Sequence, residues 1–219
     1  PPVFEIDQSK QKKQKKIPKL EESDFLKIRV IGYGSNSSIS LVVHKITGFV
    51  YALRTITKKE YYKSEYEYFE KSIHSRIIHC YGGVSEGANK AFLLDFMCNG
   101  SLKDKKITDP NMKSKIIYQT LLAIDHLHSQ GLIHCDIKPS SILLNRDFDV
   151  CLSGFSHIHD NEFIDKKTIK VDLFPYLAPE IICGSDKCSF HADLYSLGVL
   201  IYFLTIGKGP YNDITLLEA

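Results

Sequence analysis

Residues 132–145 read L-I-H-C-D-I-K-P-S-S-I-L-L-N. A carboxylate, Asp136, stands two residues after His134 and two before the pair Lys138-Pro139, and an apolar run follows. Ahead of this stretch, residues 111–129 place Ile116, Ile117, Thr120, Leu121, Ile124 and Leu127 at helical spacings. The pattern predicts an amphipathic helix that delivers the chain to Gly131 and the loop. Behind it, residues 142–144 and 150–152 read as paired short strands. Further on stand Ser153-Gly154-Phe155-Ser156, then Ala178-Pro179-Glu180, then the run 192–206, A-D-L-Y-S-L-G-V-L-I-Y-F-L-T-I. That run is mostly apolar around its whole circumference and predicts a helix buried on all sides.

The amino-terminal half has a different period. Apolar and charged residues alternate from Phe25 in F-L-K-I-R-V-I-G, then come I-S-L-V-V-H and F-V-Y-A-L-R-T-I, the last two joined across Thr47-Gly48. Period-two patterning with a turn signal predicts a three-strand antiparallel meander. Two further strands, around residues 80–84 and 91–96, would make five. Between them and the meander, residues 63–73 are rich in helix-compatible side chains, and residues 74–80 follow as H-S-R-I-I-H-C.

Taken in order, these stretches resemble the motifs of the protein kinase superfamily, from about residue 20 to the last residue. The loop 132–145 is similar to the kinase catalytic loop H-R-D-L-K-P-E-N, and residues 32–39, G-Y-G-S-N-S-S-I, resemble its glycine-rich loop. Ala52-Leu53-Arg54 sits at the spacing of V-A-I-K, Ser153-Gly154-Phe155-Ser156 where the family has T-D-F-G, and Ala178-Pro179-Glu180 is an intact A-P-E. The resemblance implies an α+β, bilobal protein-kinase fold. A small antiparallel β lobe with its hinge would occupy residues 20–97, and a mainly helical large lobe residues 98–219, truncated after the family's helix F. The pair Lys138-Pro139 favours Ser/Thr over Tyr specificity.

By the same resemblance Asp136 is the base that accepts the substrate hydroxyl proton, and Lys138 lies beside the transferred phosphoryl group. Gly32, Gly34, Ile39, Ala52, Arg54, Glu65, Asp95, Met97 and Leu143 are the nucleotide-contacting positions, with Ile39, Ala52 and Leu143 as the adenine walls and Leu94 guarding the back pocket. Glu65 is the partner expected for Arg54, with Glu67 and Glu70 as alternatives. Phe69, Cys80, His134 and Phe155 match the family's regulatory column, and Asp193 its anchor. Several chemical positions depart from the pattern. Arg54 replaces a Lys, Ser37 the third Gly, Cys135 an Arg, and Leu173 a Thr; Ser141 and Gly154 occupy the lost magnesium-ligand positions. Phosphoryl transfer depends on positioning and electrostatics, and losing one preorganised group costs about 10²–10³ in rate. The expectation is therefore weak ATP binding at most, no bound magnesium, and a catalytically impaired pseudokinase that acts as scaffold or allosteric partner of other signalling proteins, an active kinase among them. An active Ser/Thr kinase is the alternative. No substitute for the lost groups stands out: Lys58 lies about 13 Å along the strand from Arg54, Lys45 is at the far end of the second strand, Asp147 and Asp149 are off the metal-binding position, and Asp160 and Asp165 would reach in only on a mobile loop.

Charge is local. The 219 residues are 43% hydrophobic and 25% charged, an ordinary globular balance. Residues 1–20 hold six Lys against Glu5 and Asp7, which leaves 22 basic against 24 acidic side chains elsewhere. Residues 1–19 thus read as a disordered, Lys-rich tail: a solvated linker, a nucleic-acid or nuclear-import patch, or a contact for an anionic membrane leaflet. No apolar run reaches the roughly 18 residues of a transmembrane segment. The start lacks a secretory pattern, so a cytoplasmic chain is expected, with nuclear entry through the tail as the other reading. The chain opens without Met, as a fragment of a longer one would. Six cysteines without a C-x-x-C pair favour free thiols over disulfides or zinc.

Overall fold

Alternating side chains from Phe25 onward build a sheet that buries one set of residues on each face. The computed structural model describes residues 19–34, 37–57, 59–71, 73–86, 89–158, 174–183 and 189–210. The small lobe contains β1 (Lys19–Leu20), β2 (Phe25–Gly34), β3 (Ser37–His44), β4 (Val50–Ile56), β5 (Cys80–Glu86) and β6 (Asn89–Asp95), ordered β1-β5-β6-β4-β3-β2. The meander β2-β3-β4 is antiparallel, as its sequence requires. Gly48, with φ of +71°, supplies the left-handed residue in the turn between β3 and β4.

One face of the sheet buries Val42, Leu53, Val84, Ala91 and Leu93. The opposite face turns Ala52, Ile56, Phe92 and Leu94 toward Tyr68 and Phe69 of α1 (Lys59–Lys71), in a core that continues into the large lobe. Before β5, the segment around Ile77 pairs with β8 (Val150–Leu152): Ile78 N donates to Leu152 O at 2.9 Å and Leu152 N to Arg76 O at 2.8 Å. An Arg76–Asp149 ion pair at 3.3 Å lies beside it. The helix that carries Glu65 is thereby tied to the lobe that carries Asp136.

The large lobe is organised by α2 (Pro110–Ser129) and α4 (Phe190–Ile206), with β7 (Ile142–Leu144) paired to β8 and the short α3 (Pro179–Ile182) between. Asp109 caps α2 by accepting from Asn111 N at 3.0 Å, and Pro110 fills the first helical position, where a missing N–H costs nothing. Gly207, at φ +86°, ends α4.

The bilobal architecture stands as expected, with four corrections. The small-lobe sheet has six strands rather than five, because Lys19–Leu20 adds a strand parallel to β5 opposite Gly83 and Val84. Lys19 therefore belongs to the sheet, while residues 1–18, and with them the tail readings, lie outside the described residues. The helix expected over 63–73 runs Lys59–Lys71, since helix-compatible residues begin as soon as β4 ends. The helix expected over 192–206 begins at Phe190 and is not buried on all sides: Leu194, Tyr202 and Ile206 are 46%, 41% and 54% exposed. Among the described residues nothing covers that stripe. Lys58, Asp160, Asp165 and Leu173 also lie outside the described residues. The five described cysteines are free thiols, and no described helix is long and apolar enough to cross a membrane.

Candidate functional site

Strands and loops of both lobes converge on a cleft of about 580 Å³ between the lobes. Its roof comes from the β2–β3 hairpin and β4: Gly32, Gly34, Ile39, Ala52 and Arg54 all line it. Its back comes from Leu94, Asp95 and Met97, and its floor from Leu143, Asp136, Lys138, Ser141 and Gly154. Ile39 and Arg54 are cross-strand partners, which places the apolar wall and the basic residue side by side.

Arg54 settles which glutamate it meets. Its Nη1 is ion-paired with Glu65 Oε2, and the Glu65 side chain is fully buried. Glu67 is exposed on another face of α1. Burial pushes the Glu65 carboxyl above the usual range, against the opposing pull of the Arg54 charge and hydrogen bond. Arg54 Nε also donates to Ser37 Oγ at 3.3 Å. The guanidinium thus links hairpin, strand and helix. Ser37 reads in the sequence only as a missing glycine, and nothing in the sequence points to this contact, because only the folded hairpin brings its hydroxyl to one of the five N–H donors of the guanidinium.

The catalytic-loop geometry hangs on Asp193. Its Oδ2 accepts from His134 N at 2.8 Å and lies 2.9 Å from His128 Nε2, and its Oδ1 accepts from Cys135 N at 2.9 Å. Cys135 is held at φ +59°, a left-handed conformation that a Cβ-bearing residue keeps only when its surroundings fix it. His134 is buried, accepts from Asp136 N at 3.1 Å and faces Ser153 O through Nε2 at 3.0 Å. Burial lowers its pKa, so it stays neutral, which suits one ring nitrogen that accepts and one that donates. Phe155 packs edge-on against His134 at 5.1 Å and Phe69 at 5.9 Å, and Cys80 borders the same core. The expected column is therefore assembled. Burial raises the Cys80 thiol to about 12 and makes it inert.

Asp136 and Lys138 are brought together, Oδ1 to Nζ at 2.9 Å. Ser141 Oγ donates to the Asp136 backbone carbonyl at 2.6 Å, and so points along the loop. Gly154 adopts φ +91°; a Cβ there would meet Ser141 Oγ at 3.2 Å and Asp136 Oδ2 at 3.5 Å. Asp95 lines the cleft, yet its carboxylate accepts from Tyr81 Oη at 2.8 Å and His79 N at 3.2 Å, and its own N–H donates to His79 O at 3.2 Å. Of the other candidates, Asp149 is engaged with Arg76 and Lys115, and Lys45 with Ser23 O at 2.6 Å.

Magnesium takes about six oxygen ligands in near-octahedral order and binds proteins through one or two carboxylates. The donor set at the floor is one carboxylate already paired with Lys138, a hydroxyl already donating to a carbonyl, and a glycine. These residues do not fit the ion. Among the described residues no three His, Cys, Asp or Glu side chains converge as metal ligands.

Comparison with known proteins agrees with this geometry. A family model described as "Protein kinase domain" matches residues 25–218. An Aurora kinase of Debaryomyces hansenii is 31% identical over 205 residues, 87% of this chain and 50% of that protein. An Aurora kinase of Schizosaccharomyces pombe is 32% identical over 200 residues, covering 84% and 55% respectively. A RAC family serine/threonine-protein kinase homolog of Dictyostelium discoideum is 30% identical over 219 residues, covering 92% and 48%. The chain spans about half the length of the curated relatives it matches.

Proposed function

The chain belongs to the protein kinase domain family, and from that premise we propose that it is a catalytically impaired member, which acts on other signalling proteins as scaffold or allosteric partner rather than by transferring phosphate. One observation carries the reading. In a cleft whose Arg54–Glu65 pair and Phe155 packing are assembled, Gly154 and Ser141 present no ligand set for the metal that phosphoryl transfer needs. Asp136 remains able to take a proton from a hydroxyl laid beside it, and Lys138 to steady a neighbouring negative charge. Without a clamp on the phosphates, neither is asked to act at useful rate. ATP, on this reading, binds weakly, and magnesium adds little.

The test compares phosphate transfer to generic Ser/Thr peptides by three proteins, each shown to melt cooperatively. The wild type should not exceed Asp136→Ala, the control for contaminating kinases. The triple change Arg54→Lys, Ser141→Asn, Gly154→Asp should regain measurable transfer. Robust wild-type activity abolished by Asp136→Ala would refute the proposal. The second reading, an active Ser/Thr kinase, is favoured by the preserved Asp136–Lys138 pair and the Ser/Thr kinase named among the relatives, and that result would establish it.

A further inference from the structure

A strip of aromatic rings in contact runs over the face of the small-lobe sheet that is turned away from α1, from β3 to the segment ahead of β5. His44 and Phe25 meet at 5.3 Å between centroids, Phe25 and Tyr51 at 6.3 Å, Tyr51 and Tyr81 at 5.0 Å, and Tyr81 and His79 at 4.7 Å. The strip is open at its Tyr81 end: Tyr81 is 37% exposed, and His79 is exposed as well. A carboxylate stands at that end. Asp95 accepts from Tyr81 Oη and His79 N and keeps further acceptor positions. Glu21, Glu22 and Asp24 are exposed beside the same face, with residues 22–24 against β5, and none of them has an ion-pair partner among the described residues. The cation beside them, Lys45, gives its ammonium to Ser23 O. Rings set among negative charges attract a cation.

The chain itself leads cations to this place. β1 pairs with β5 in parallel, Lys19 opposite Gly83 and Leu20 opposite Val84, so the chain ahead of Lys19 arrives from the Tyr81 end of β5. Residues 10–16 read K-Q-K-K-Q-K-K. At about 3.3 Å per residue, Lys16 and Lys15 come roughly 10 and 13 Å before Lys19, while Tyr81 and His79 come roughly 7 and 13 Å before Gly83. The two spans match.

We propose that the strip of Tyr51, Tyr81 and His79, with Asp95, is a docking site for the lysine run of this same chain, and that Lys15 and Lys16 are its ligands. A tether of a few residues holds them at millimolar effective concentration, which a free basic peptide would have to exceed. Pro18 has no N–H to extend the β1–β5 ladder, so side chains rather than backbone carry the contact. Lysines held on the strip are withdrawn from polyanions, and the strip thereby sets how much of the run's charge is on offer. The docking does not depend on whether the cleft transfers phosphate.

The test uses the 219-residue chain and measures how fast each lysine is acetylated by limiting acetic anhydride, read by mass spectrometry. Wild type is compared with Tyr81→Phe and Tyr81→Leu, each shown to melt cooperatively. Lys12 and Lys13 follow a Gln just as Lys15 and Lys16 do, and so serve as the internal reference. In wild type and in Tyr81→Phe, which keeps the ring, Lys15 and Lys16 should react about two- to fivefold more slowly than Lys12 and Lys13, the factor that a cation–π contact at an exposed site supplies. In Tyr81→Leu, similar in bulk but without a π face, most of that difference should vanish. The ratio should not change on dilution, because the contact lies within one chain. Equal rates for the two pairs in wild type overturn the inference without recourse to any variant. The same ratio in Tyr81→Leu as in Tyr81→Phe overturns it too, and a ratio that disappears on dilution overturns it in favour of a second copy.

Discussion

Restoring a carboxylate at position 154 should destabilise this protein in the absence of a divalent cation. Gly154 sits at φ +91°, where a side chain costs about 1 kcal/mol or more relative to glycine. Its Cβ would approach Ser141 Oγ to 3.2 Å, tighter than ordinary contact, and Ser141 is held by its bond to Asp136 O. The new carboxylate would also lie close to Asp136 Oδ2, itself 3.5 Å from the Cβ position. Two like charges a few ångströms apart repel by a few kcal/mol at an effective dielectric near 20, less where solvent or Lys138 screens them. The expected loss for Gly154→Asp is therefore about 2–4 kcal/mol, with Gly154→Ala isolating a backbone and steric share of about 1–2 kcal/mol. For a chain of this size that is a fall in Tm of roughly 5–15 °C for the Asp variant. Thermal melts of wild type, Gly154→Ala, Gly154→Asn and Gly154→Asp in EDTA measure each share, and repetition in magnesium chloride asks whether Gly154→Asp alone recovers part of its loss. An Asp variant as stable as wild type in EDTA, or an Ala variant that loses as much as the Asp variant, would refute this account.

Three further outcomes follow from the same geometry. Asp193→Asn turns one acceptor of the catalytic-loop clamp into a donor facing an N–H, and should lower stability by about 2–4 kcal/mol in urea denaturation; a loss under 1 kcal/mol would show that the loop does not depend on it. Glu65→Gln should cost about 2–4 kcal/mol by leaving the Arg54 charge half-buried without its partner, whereas the double change Arg54→Met, Glu65→Leu should come close to neutral; equal losses in single and double variants would contradict this. Burial lowers the pKa of His74, His126 and His134, so each contributes stability that is present above the unfolded value near 6.5 and is lost as pH falls from there through the depressed folded value. The slope in that window should be up to about 1.4 kcal/mol per pH unit for each group, and His126→Gln, which removes one member of the His74–His126 stack, should flatten it; an unchanged slope would exclude these rings.

The sequence alone determined the meander β2-β3-β4, the amphipathic α2 with its loop, and the lettered positions around Asp136, because period, turn residues and motif spacing act over a few residues at a time. By resemblance it also points to Gly154 and Ser141 as the positions where the family keeps metal ligands. What it left open was decided by contacts between distant parts of the chain. Three glutamates on α1 compete for Arg54 on paper, and the phase in which that helix docks against Phe92 and Phe155 selected Glu65. Lys19 looked like part of a charged tail until β5, more than sixty residues on, offered it an edge to pair with. Ser37 gained a role only when the folded hairpin brought its hydroxyl to Arg54, and Asp95 lost its side chain to Tyr81. Apolar residues all round α4 predicted complete burial, yet composition reports only what a helix can bury; whether Leu194, Tyr202 and Ile206 are covered depends on which surfaces reach them. Pairing of this kind is set by the closure of long loops and by docking geometry, neither of which is written in any short window of residues.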